Sequence, residues 1–368
     1  MGECEPPQRQ ARKAYPVNRY PVSSAIAQGN GYTIVENASL EGRNTFRVPA
    51  RAHLLIDVKK PEALAEVLGF PYLKNSPVLV LGEGSNVLFT RDWPHVVLSM
   101  SSQGIAVESD EGDACRVRVA AGENWNAFVH WSLARGFAGL ENLVLIPGSV
   151  GAAPIQNIGA YGVEVCEFIE SVSAWDRHGG QPVELDLADC RFTYRDSVFK
   201  QEADRYIVTS VEFRLPRARD PRIGYAGIAE ELKALGFCEP THAQVAEAIA
   251  RVRTRKLPNP ALIGNAGSFF KNPLVGSAKG ADLRQRHPDL PCWPTSDGQL
   301  KLSAAWLIES CGFKGLRRRH AGVSEHHALV LVNLGGASGA EIWNLAEEIR
   351  DTVHARYQVM LEPEPRIL

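Results

Sequence analysis

Residues 78–89 read Val78-Leu79-Val80-Leu81-Gly82-Glu83-Gly84-Ser85-Asn86-Val87-Leu88-Phe89. The apolar run at 78–81 is typical of a buried strand, and the glycine turn leads into a second apolar run with no helical pattern after it. The turn therefore joins strand to strand. A Rossmann dinucleotide site needs a third glycine and a following helix, whereas Val87 stands in the third glycine position. NAD in a Rossmann site is therefore disfavoured.

The turn itself allows two interpretations. Gly82 and Gly84, followed by Ser85 and Asn86, can expose successive backbone N–H groups in a concave nest that suits a pyrophosphate. A plain tight turn uses the same residue types. The residues alone do not separate the two.

The chain before the turn completes a small βαβ unit. Residues 53–58 form an apolar stretch, and Leu64, Val67 and Leu68 follow at helical spacing before the run at 78–81. Beyond the turn, residues 97–215 indicate a second, mixed unit. Short β-rich runs such as 115–120 and 207–215 alternate there with turn residues, and a helix is predicted over residues 125–134.

The last third of the chain predicts a compact α/β unit. Capping boxes at Thr241-x-x-Gln244 and Ser338-x-x-Glu341 begin two of its helices, the first of which should stop before Pro258. A third helix is predicted at 304–311, and an apolar run at 327–333 predicts a strand.

Composition limits the function classes. Apolar residues make up 45% and charged residues 22% of the chain, which is typical of globular proteins. The length of 368 residues predicts two or three packed units. The net charge of -2 lacks the basic excess of a domain built for nucleic acid. The seven cysteines are scattered and lack the C-x-x-C spacing of a zinc or redox site. The sequence contains no uninterrupted run of about 18 apolar residues, so we expect no membrane span. We expect a monomer in a reducing cytoplasm, with a polar tail at residues 1–36.

A second glycine-rich stretch is long and scarcely charged. It reads Ile146-Pro147-Gly148-Ser149-Val150-Gly151-Ala152-Ala153-Pro154-Ile155-Gln156-Asn157-Ile158-Gly159-Ala160-Tyr161-Gly162. Glycines let a backbone approach a large flat ligand closely, and the isoleucines and prolines offer an apolar surface for rings. The alternative is a buried loop that packs on its own domain. We favour the ligand interpretation, because a buried structureless backbone is otherwise hard to satisfy.

Two short motifs contain candidate catalytic groups. Tyr194-Arg195-Asp196-Ser197 follows a β-rich run, but an arginine beside an acid is more often a surface ion pair. Gly264-Asn265-Ala266-Gly267-Ser268-Phe269-Phe270-Lys271-Asn272-Pro273 places a hydroxyl between glycine and aromatic residues, without the G-x-S-x-G elbow of a hydrolase. Ser268 could donate a proton in a dry site, with Asn272 near enough to bind ligand. On the residues alone, a turn into a strand is the preferred interpretation.

Basic residues near the end of the first capped helix have more than one interpretation. Lys256 could be a partner for the helix dipole or an anion clamp. The short runs at 251–256 and 317–320 lack aromatic interleaving, which favours solvated faces or nucleotide contacts over nucleic acid. His326-His327 has neither the i, i+4 spacing nor the neighbouring acidic residues of a metal-binding histidine pair, so we expect no metal.

Taken together, these motifs resemble one family, the UDP-N-acetylenolpyruvoylglucosamine reductases of peptidoglycan precursor synthesis. The resemblance spans nearly everything from Asn44 to the C-terminus, with its motifs in the family's order. They are Asn44-Thr45-Phe46, Leu81 to Leu88, Gly139-Leu140-Glu141-Asn142, Tyr194 to Ser197, the Ser268 run and Leu361-Glu362-Pro363-Glu364.

The resemblance implies a mixed α/β, α+β fold. It comprises a two-lobed FAD-binding domain of the vanillyl-alcohol-oxidase type and a C-terminal α/β substrate-binding domain. We place the two lobes at residues 37–96 and 97–217, and the substrate-binding domain at 218–368. It also implies the family's long form, in which a tyrosine on a mobile loop covers the nucleotide. Tyr225 is similar in placement.

The implied reaction has two halves with ping-pong kinetics. NADPH reduces bound FAD and leaves, and UDP-N-acetylglucosamine enolpyruvate then enters and takes the hydride from flavin N5, which gives UDP-N-acetylmuramate. By resemblance, Arg195 and Glu364 flank the substrate carboxylate and stabilise an enolate-like intermediate, while Ser268 protonates the neighbouring carbon. Glu364 would help only as a protonated acid or hydrogen-bond partner, because a bare carboxylate repels that charge.

The resemblance also implies ligand contacts. Substrate or NADPH contacts are expected from Tyr194, Tyr225, Lys256 and Asn272. FAD contacts are expected from Gly82, Gly84, Ser85, Asn86, Gly148, Ser149, Ile155, Ile158, Gly159, Arg253 and Arg366.

The sequence departs from the family pattern at a few positions. Pro365 stands where the family usually has valine, so the strand at Glu364 is expected at a sheet edge or slightly shifted. Ala152 and Ala153 stand where the family often has small hydroxyl residues, so some FAD phosphate contacts are expected to come from backbone N–H groups. Two alternatives remain: an oxidase of a hydroxy acid or lactone on the same scaffold, and a nucleotide-binding module without catalysis.

Overall fold

The computed structural model describes residues 27–74, 76–295 and 298–368. The first elements are β1 (Ala27–Gly29), β2 (Tyr32–Ser39), β3 (Arg51–Val58), α1 (Leu64–Gly69), α2 (Pro71–Lys74), β4 (Val78–Val80), β5 (Val87–Leu88) and β6 (Trp93–Met100). The first sheet has the order β1-β2-β3-β6-β4, in which β3, β6 and β4 run parallel. The predicted βαβ unit is present, with β6 inserted between its two strands.

Residues 27–36 correct one expectation. We predicted a polar tail over 1–36, but 27–36 form β1 and most of β2. The tail's residues 1–26 lie outside the described residues. Tyr32 explains the difference, because its ring is buried and its hydroxyl donates to Glu66 at 2.6 Å, which ties this strand to α1.

The next elements are β7 (Ile105–Asp110), β8 (Ala114–Ala120), α3 (Trp125–Ala134), β9 (Gly159–Ala160), β10 (Val163–Glu164), β11 (Ile169–Asp176), β12 (Gln181–Asp186), α4 (Leu187–Cys190), α5 (Val198–Gln201) and β13 (Tyr206–Pro216). They include a second sheet, which is wholly antiparallel, in the order β12-β11-β13-β8-β7. Helix α3 has the predicted bounds, and the Asn124 side chain caps its start by accepting from the Ala127 amide.

The remaining chain combines small sheets with helices. Both predicted capping boxes form, at Thr241 and Ser338. The elements are α6 (Ile228–Ala234), α7 (His242–Lys256), β14 (Leu274–Val275), α8 (Ser277–Arg286), β15 (Cys292–Pro294), β16 (Leu300–Leu302), α9 (Ala304–Ser310), β17 (Arg317–Arg318), β18 (Ala321–Val323), β19 (Leu331–Asn333), α10 (Gly339–Tyr357) and β20 (Arg366–Ile367).

The strand predicted at 327–333 is shorter than expected and covers only β19. Residues 324–330 turn instead, because the Ser324 amide donates to the Val330 carbonyl at 2.8 Å. Inside this turn the His327 ring accepts from the Leu329 amide at 3.2 Å. These bonds satisfy the backbone locally and leave no sheet ladder for the first half of the run.

Two buried clusters form the core, and the first sheet lies between them. Along β3 and β6, Ile56 and Leu98 belong to a cluster shared with the second sheet, whereas Leu55 and Val97 belong to one shared with the C-terminal helices. Successive side chains of a strand point to opposite faces, so one sheet serves both cores.

The domain boundaries stay predictions, and the packing shows one feature that bears on them. Ile228 of α6 and Ile249 of α7 are buried in the cluster of the second sheet, although residues 218–258 were assigned to the substrate-binding domain. The other cluster takes up the C-terminal part from Ala266 onward.

Candidate active site

A cavity of about 810 Å³ lies between the two glycine-rich turns and the C-terminal segment. All the residues predicted to bind the cofactor or to act in catalysis line it. They are Gly82, Gly84, Ser85, Asn86, Gly148, Ser149, Ile155, Ile158, Gly159, Arg253, Arg366, Arg195, Ser268 and Glu364.

Glu83 holds the two glycine-rich turns together. Its carboxylate accepts from the Gly148 amide at 3.1 Å and from the Asn124 side chain at 2.7 Å. A Cβ atom at Gly82 would lie 2.7 Å from the Ser149 hydroxyl oxygen, so an alanine there would displace this side chain from the first glycine-rich turn.

Arg195 occupies a strained position in a tight turn. Thr193 and Asp196 close the turn with backbone hydrogen bonds of 3.1 and 3.2 Å. Arg195 has a φ of 57°, in the left-handed region that favours glycine or asparagine. Such a conformation persists in an arginine when the surroundings over-determine it, and it is common at functional sites.

Three oxygen atoms fix the Arg195 guanidinium. Nη2 donates to the Gly159 carbonyl at 2.6 Å and Nη1 to the Asn157 carbonyl at 3.4 Å. Nε lies 3.2 Å from Oε1 of Glu364. Both side chains of this contact are mostly buried, and the two carbonyls of the second glycine-rich stretch hold the guanidinium at the cavity wall.

Backbone pairing brings Glu364 beside the Ser268 segment. The Glu364 amide donates to the Phe269 carbonyl at 2.8 Å, and Lys271 donates its amide to the Glu362 carbonyl at 3.0 Å. Gly267 has a φ of 69°, which sets the bend immediately before Ser268. The hydroxyl and the carboxyl are therefore on adjacent segments of the same wall.

Pro365 fits this arrangement without loss of a hydrogen bond. Glu364 pairs through its amide with Phe269 on one side, and Arg366 donates its amide to the Asn86 carbonyl at 3.0 Å on the other. Strand β20 pairs in parallel with β5 in a two-stranded sheet, so it lies at an edge. The proline thus stands where an edge strand tolerates a missing N–H.

Burial controls the charge state of Glu364. Removal from water raises the pKa of its carboxyl, and the cations Arg195, Lys200 and Lys271 oppose this in part. Gln156 contributes a further polar contact, with its amide nitrogen 3.4 Å from Oε1 of Glu364. A protonated Glu364 is therefore favoured at higher pH than for an exposed glutamate.

The two tyrosines predicted to bind substrate are not among the residues that line the cavity. Tyr194 lies beside it, between the Arg195 guanidinium at 5.4 Å and the Lys301 ammonium at 4.8 Å from its ring centre. Tyr225 is 51% exposed and packs edge-on against Tyr161 at 5.2 Å.

Lys256 and Asn272 are also outside the cavity lining. Lys256 is the last residue of α7, and its charge helps lower the pKa of His327, after the larger effect of burial. The Asn272 side-chain oxygen accepts from the Ala304 amide at 3.0 Å, at the start of α9. This bond gives Asn272 a structural role whether or not it binds ligand.

The polar residues that line the cavity without having been predicted as site residues include Gln156, Lys200 and Lys271. Gln156 accepts from the Asn86 side chain at 2.6 Å and so links the two glycine-rich stretches. Lys200 comes three residues after the Tyr194–Ser197 motif and Lys271 lies within the Ser268 run, but no spacing rule predicts that these two lysines line the cavity.

The cavity fits FAD in size and lining. Ligand cavities of about 300–1,000 Å³ hold molecules of this class. Gly84 has a φ of 64°, and a Cβ there would lie 2.1 Å from the Arg43 carbonyl, so the turn admits only glycine. Ile155 and Ile158 supply apolar wall for a ring system, and the glycines expose backbone N–H groups for phosphates.

Comparison with known proteins decides the family. Residues 52–186 match the model of an FAD binding domain, and residues 259–368 match the C-terminal domain of UDP-N-acetylenolpyruvoylglucosamine reductase. The reductases of that name from Xanthomonas euvesicatoria pv. vesicatoria and Xanthomonas axonopodis pv. citri are each 52% identical over 339 residues. Each match covers 92% of this chain and 97% of the relative. The chain belongs to this family.

Membership in the UDP-N-acetylenolpyruvoylglucosamine reductase family, together with the FAD domain, makes the chain an FAD-dependent oxidoreductase. The non-catalytic binding module is thereby excluded. The crystal structure of the reductase from Thermus caldophilus has the same fold, with a TM-score of 0.63 at 24% identity over 91% of this chain and 98% of that one. The predicted fold class is confirmed.

Within residues 27–74, 76–295 and 298–368, no group of three His, Cys, Asp or Glu side chains is placed to hold a metal ion. In the same ranges, no helix combines the length and apolar character needed to cross a membrane.

Proposed function

We propose that the chain reduces UDP-N-acetylglucosamine enolpyruvate to UDP-N-acetylmuramate with NADPH, a step in peptidoglycan precursor synthesis. One observation supports this most strongly. Arg195, Ser268 and Glu364, which come from three distant parts of the sequence, line one cavity together with both glycine-rich turns. An oxidase of a hydroxy acid or lactone on the same scaffold would not need this combination.

Arg195 is suited to hold negative charge. FAD, when bound and reduced, supplies the hydride for the terminal carbon of the enolpyruvyl group. Charge then develops toward the substrate carboxylate, and a guanidinium pre-oriented by Gly159 and Glu364 stabilises it without reorganisation. Its burial strengthens the interaction, because little water competes.

Ser268 is proposed to deliver the proton to the carbon beside the carboxylate. Its hydroxyl lines the cavity on the segment that pairs with Glu364. A hydroxyl is a weak acid, so it acts only on a strongly basic carbon such as that of an enolate. The neighbouring aromatic residues Phe269 and Phe270 are buried and keep this wall dry.

Glu364 is proposed to act in its protonated form. A neutral carboxyl can donate a hydrogen bond to the developing anion, whereas a carboxylate would repel it. Burial raises the pKa of Glu364, which favours this form. Its contact with Arg195 then serves orientation rather than charge neutralisation.

Substrate and NADPH binding are proposed to use Tyr194, Tyr225, Lys256 and Asn272 in addition to the cavity. The exposed Tyr225 ring would cover the nucleotide, and Lys256 would face its diphosphate. The FAD contacts stay as predicted from the sequence. We further propose a monomeric enzyme of the cytoplasm with ping-pong kinetics.

Steady-state turnover tests the proposal. The protein should consume NADPH only when the enolpyruvyl nucleotide is present. Mass spectrometry should show a product that is two hydrogen atoms heavier than this nucleotide, with one molecule formed per NADPH oxidised. Double-reciprocal plots at several fixed concentrations of the nucleotide should be parallel. NADPH oxidation that depends on oxygen alone would overturn the proposal in favour of the oxidase.

A further inference from the structure

A second cation lies against the backbone of the Arg195 turn. The Lys200 ammonium donates to the Arg195 carbonyl at 3.0 Å. Lys200 is part of α5 and lines the cavity. We infer that Lys200 is a positioning residue, which holds Arg195 in the left-handed turn conformation from which its guanidinium reaches Glu364.

The conformation of Arg195 needs such support. Its φ of 57° places a bulky side chain in a backbone conformation that glycine prefers. If Arg195 left this left-handed region, its peptide group would rotate and its carbonyl would point in another direction. The guanidinium end is fixed by the Gly159 carbonyl and Glu364. Lys200 fixes the other end, at the carbonyl oxygen whose direction changes when the turn relaxes.

Helix α5 is anchored where this contact requires. The residue before it, Ser197, is fully buried and donates its hydroxyl to the Ile155 carbonyl at 2.6 Å. The helix that carries Lys200 is therefore tied to the second glycine-rich stretch, which also supplies the carbonyl that holds Arg195. One rigid unit thus sets both ends of the arginine.

The ammonium group at this place has an energetic cost. Burial lowers the pKa of Lys200, and the nearby Lys271 lowers it further. A lysine is rarely kept in such surroundings without a specific partner. Lys271 has its own partner in Glu362 at 2.8 Å, whereas the hydrogen bond of Lys200 goes to the Arg195 turn.

The inference rests on the proposed function, because the effect passes through Arg195 in the second half-reaction. Lys200→Met should slow flavin reoxidation by the enolpyruvyl nucleotide about 10- to 100-fold, as expected for loss of a charge-assisted hydrogen bond. Flavin reduction by NADPH should change less than about 2-fold. Lys200→Arg should recover most of the rate.

Gln201→Met is the matched control. Gln201 is exposed on the same helix and bonds Asp196 of the same turn at 2.9 Å, without contact to the Arg195 carbonyl. It should behave like the wild type in both half-reactions. Equal slowing in the Gln201 and Lys200 variants would overturn the inference, since any disturbance of the helix would then suffice.

A double-mutant cycle separates positioning from direct contact with substrate. In an Arg195→Lys background, Lys200→Met should slow reoxidation further by less than about 2-fold, because residues that act as a unit are non-additive. Additive effects would overturn the inference and assign Lys200 to the substrate itself.

The crystal structure of the Lys200→Met holoenzyme gives a readout that does not depend on turnover. The inference expects Arg195 to leave the left-handed region or its guanidinium to leave Glu364. An unchanged Arg195 would overturn it. If the wild-type flavin is not reoxidised by the nucleotide, the proposed function fails, and this structure still decides the role of Lys200.

Discussion

The Nε atom of Arg195 lies 3.2 Å from Oε1 of Glu364, although 169 positions separate the two residues in the chain (364 minus 195). Arg195 comes from a tight turn beside the second sheet, and Glu364 from the segment that pairs with the Ser268 wall. A cation that can hold an anion thus stands beside a carboxyl whose burial favours the neutral form.

Ser268→Ala should separate the two half-reactions. Removal of the proton donor should slow flavin reoxidation about 100- to 10,000-fold, the usual range for loss of a general acid. Flavin reduction by NADPH involves no such proton and should remain within about 2-fold. Stopped-flow absorbance under anaerobic conditions measures both. Ser277→Ala, at an exposed serine outside the cavity lining, is the control. Equal loss in both halves would mean that Ser268 is structural.

Glu364→Gln should change the pH dependence of reoxidation. The pKa of Glu364 is raised, and we propose that its neutral form is the active one. The wild-type rate of reoxidation should therefore fall at the pH where this carboxyl ionises. Glutamine cannot ionise, so this fall should disappear in the variant. Rates of single-turnover reoxidation across a pH series provide the test. If the reoxidation rate of Glu364→Gln fell at the same pH and by the same factor as that of the wild type, another group would be responsible for the pH dependence.

Glu364→Gln should also change how the thermal stability of the protein depends on pH. A carboxyl whose pKa is raised on folding favours the folded state fully below its unfolded pKa, and this contribution is lost as pH rises through the folded pKa. The Tm of the wild type should therefore fall relative to Glu364→Gln over that window. Thermal unfolding at several pH values checks this, and a Tm difference that stays constant would contradict it.

Gly159→Ala should displace Arg195. A Cβ at residue 159 would lie 2.9 Å from Nη1 of Arg195 and 2.9 Å from the Val163 carbonyl oxygen. Since a misplacement of about 1 Å can cost roughly 100-fold in rate, we expect reoxidation to slow by about 10- to 100-fold. Gly179→Ala, where the nearest atom is at an ordinary 3.5 Å, should leave the rate unchanged. Equal rates in both variants would show that the arginine adapts freely.

Asp176→Asn tests a structural ion pair away from the cavity lining. Hydrogen bonds from Arg205 lower the pKa of Asp176 to about 2, from 3.8. This stabilisation is present above the unfolded pKa and is lost as pH falls through about 2. The variant should melt below the wild type at neutral pH, with the Tm gap closing in acid. Asp282→Asn, in an exposed pair with Arg286, should have little effect.

Local patterns in the sequence predicted much of the fold. The bounds of α3 and the capping boxes of α7 and α10 depend on neighbouring residues, so they could be read directly. The strand-to-strand turn at Gly82 was likewise a local property. The catalytic candidates required the family resemblance, because nothing in a single segment brings Arg195 to Glu364.

Contacts between distant segments could not be predicted in this way. Strand β2 depends on burial of Tyr32 against α1, and the packing of α7 on the second sheet depends on the tertiary fold. Lys200 lines the cavity on a short helix whose preceding residue, Ser197, bonds the carbonyl of Ile155, 42 positions away in the chain. Such contacts leave no periodic signal in the chain.

The most direct test of the central claim is anaerobic reoxidation of the reduced enzyme. Protein purified with its flavin is first bleached by one equivalent of NADPH, and UDP-N-acetylglucosamine enolpyruvate is then added without oxygen. We expect the absorbance of oxidised flavin to return with formation of UDP-N-acetylmuramate in the wild type, and at a far lower rate in Ser268→Ala. A flavin that stays bleached in the wild type until oxygen is admitted would contradict it.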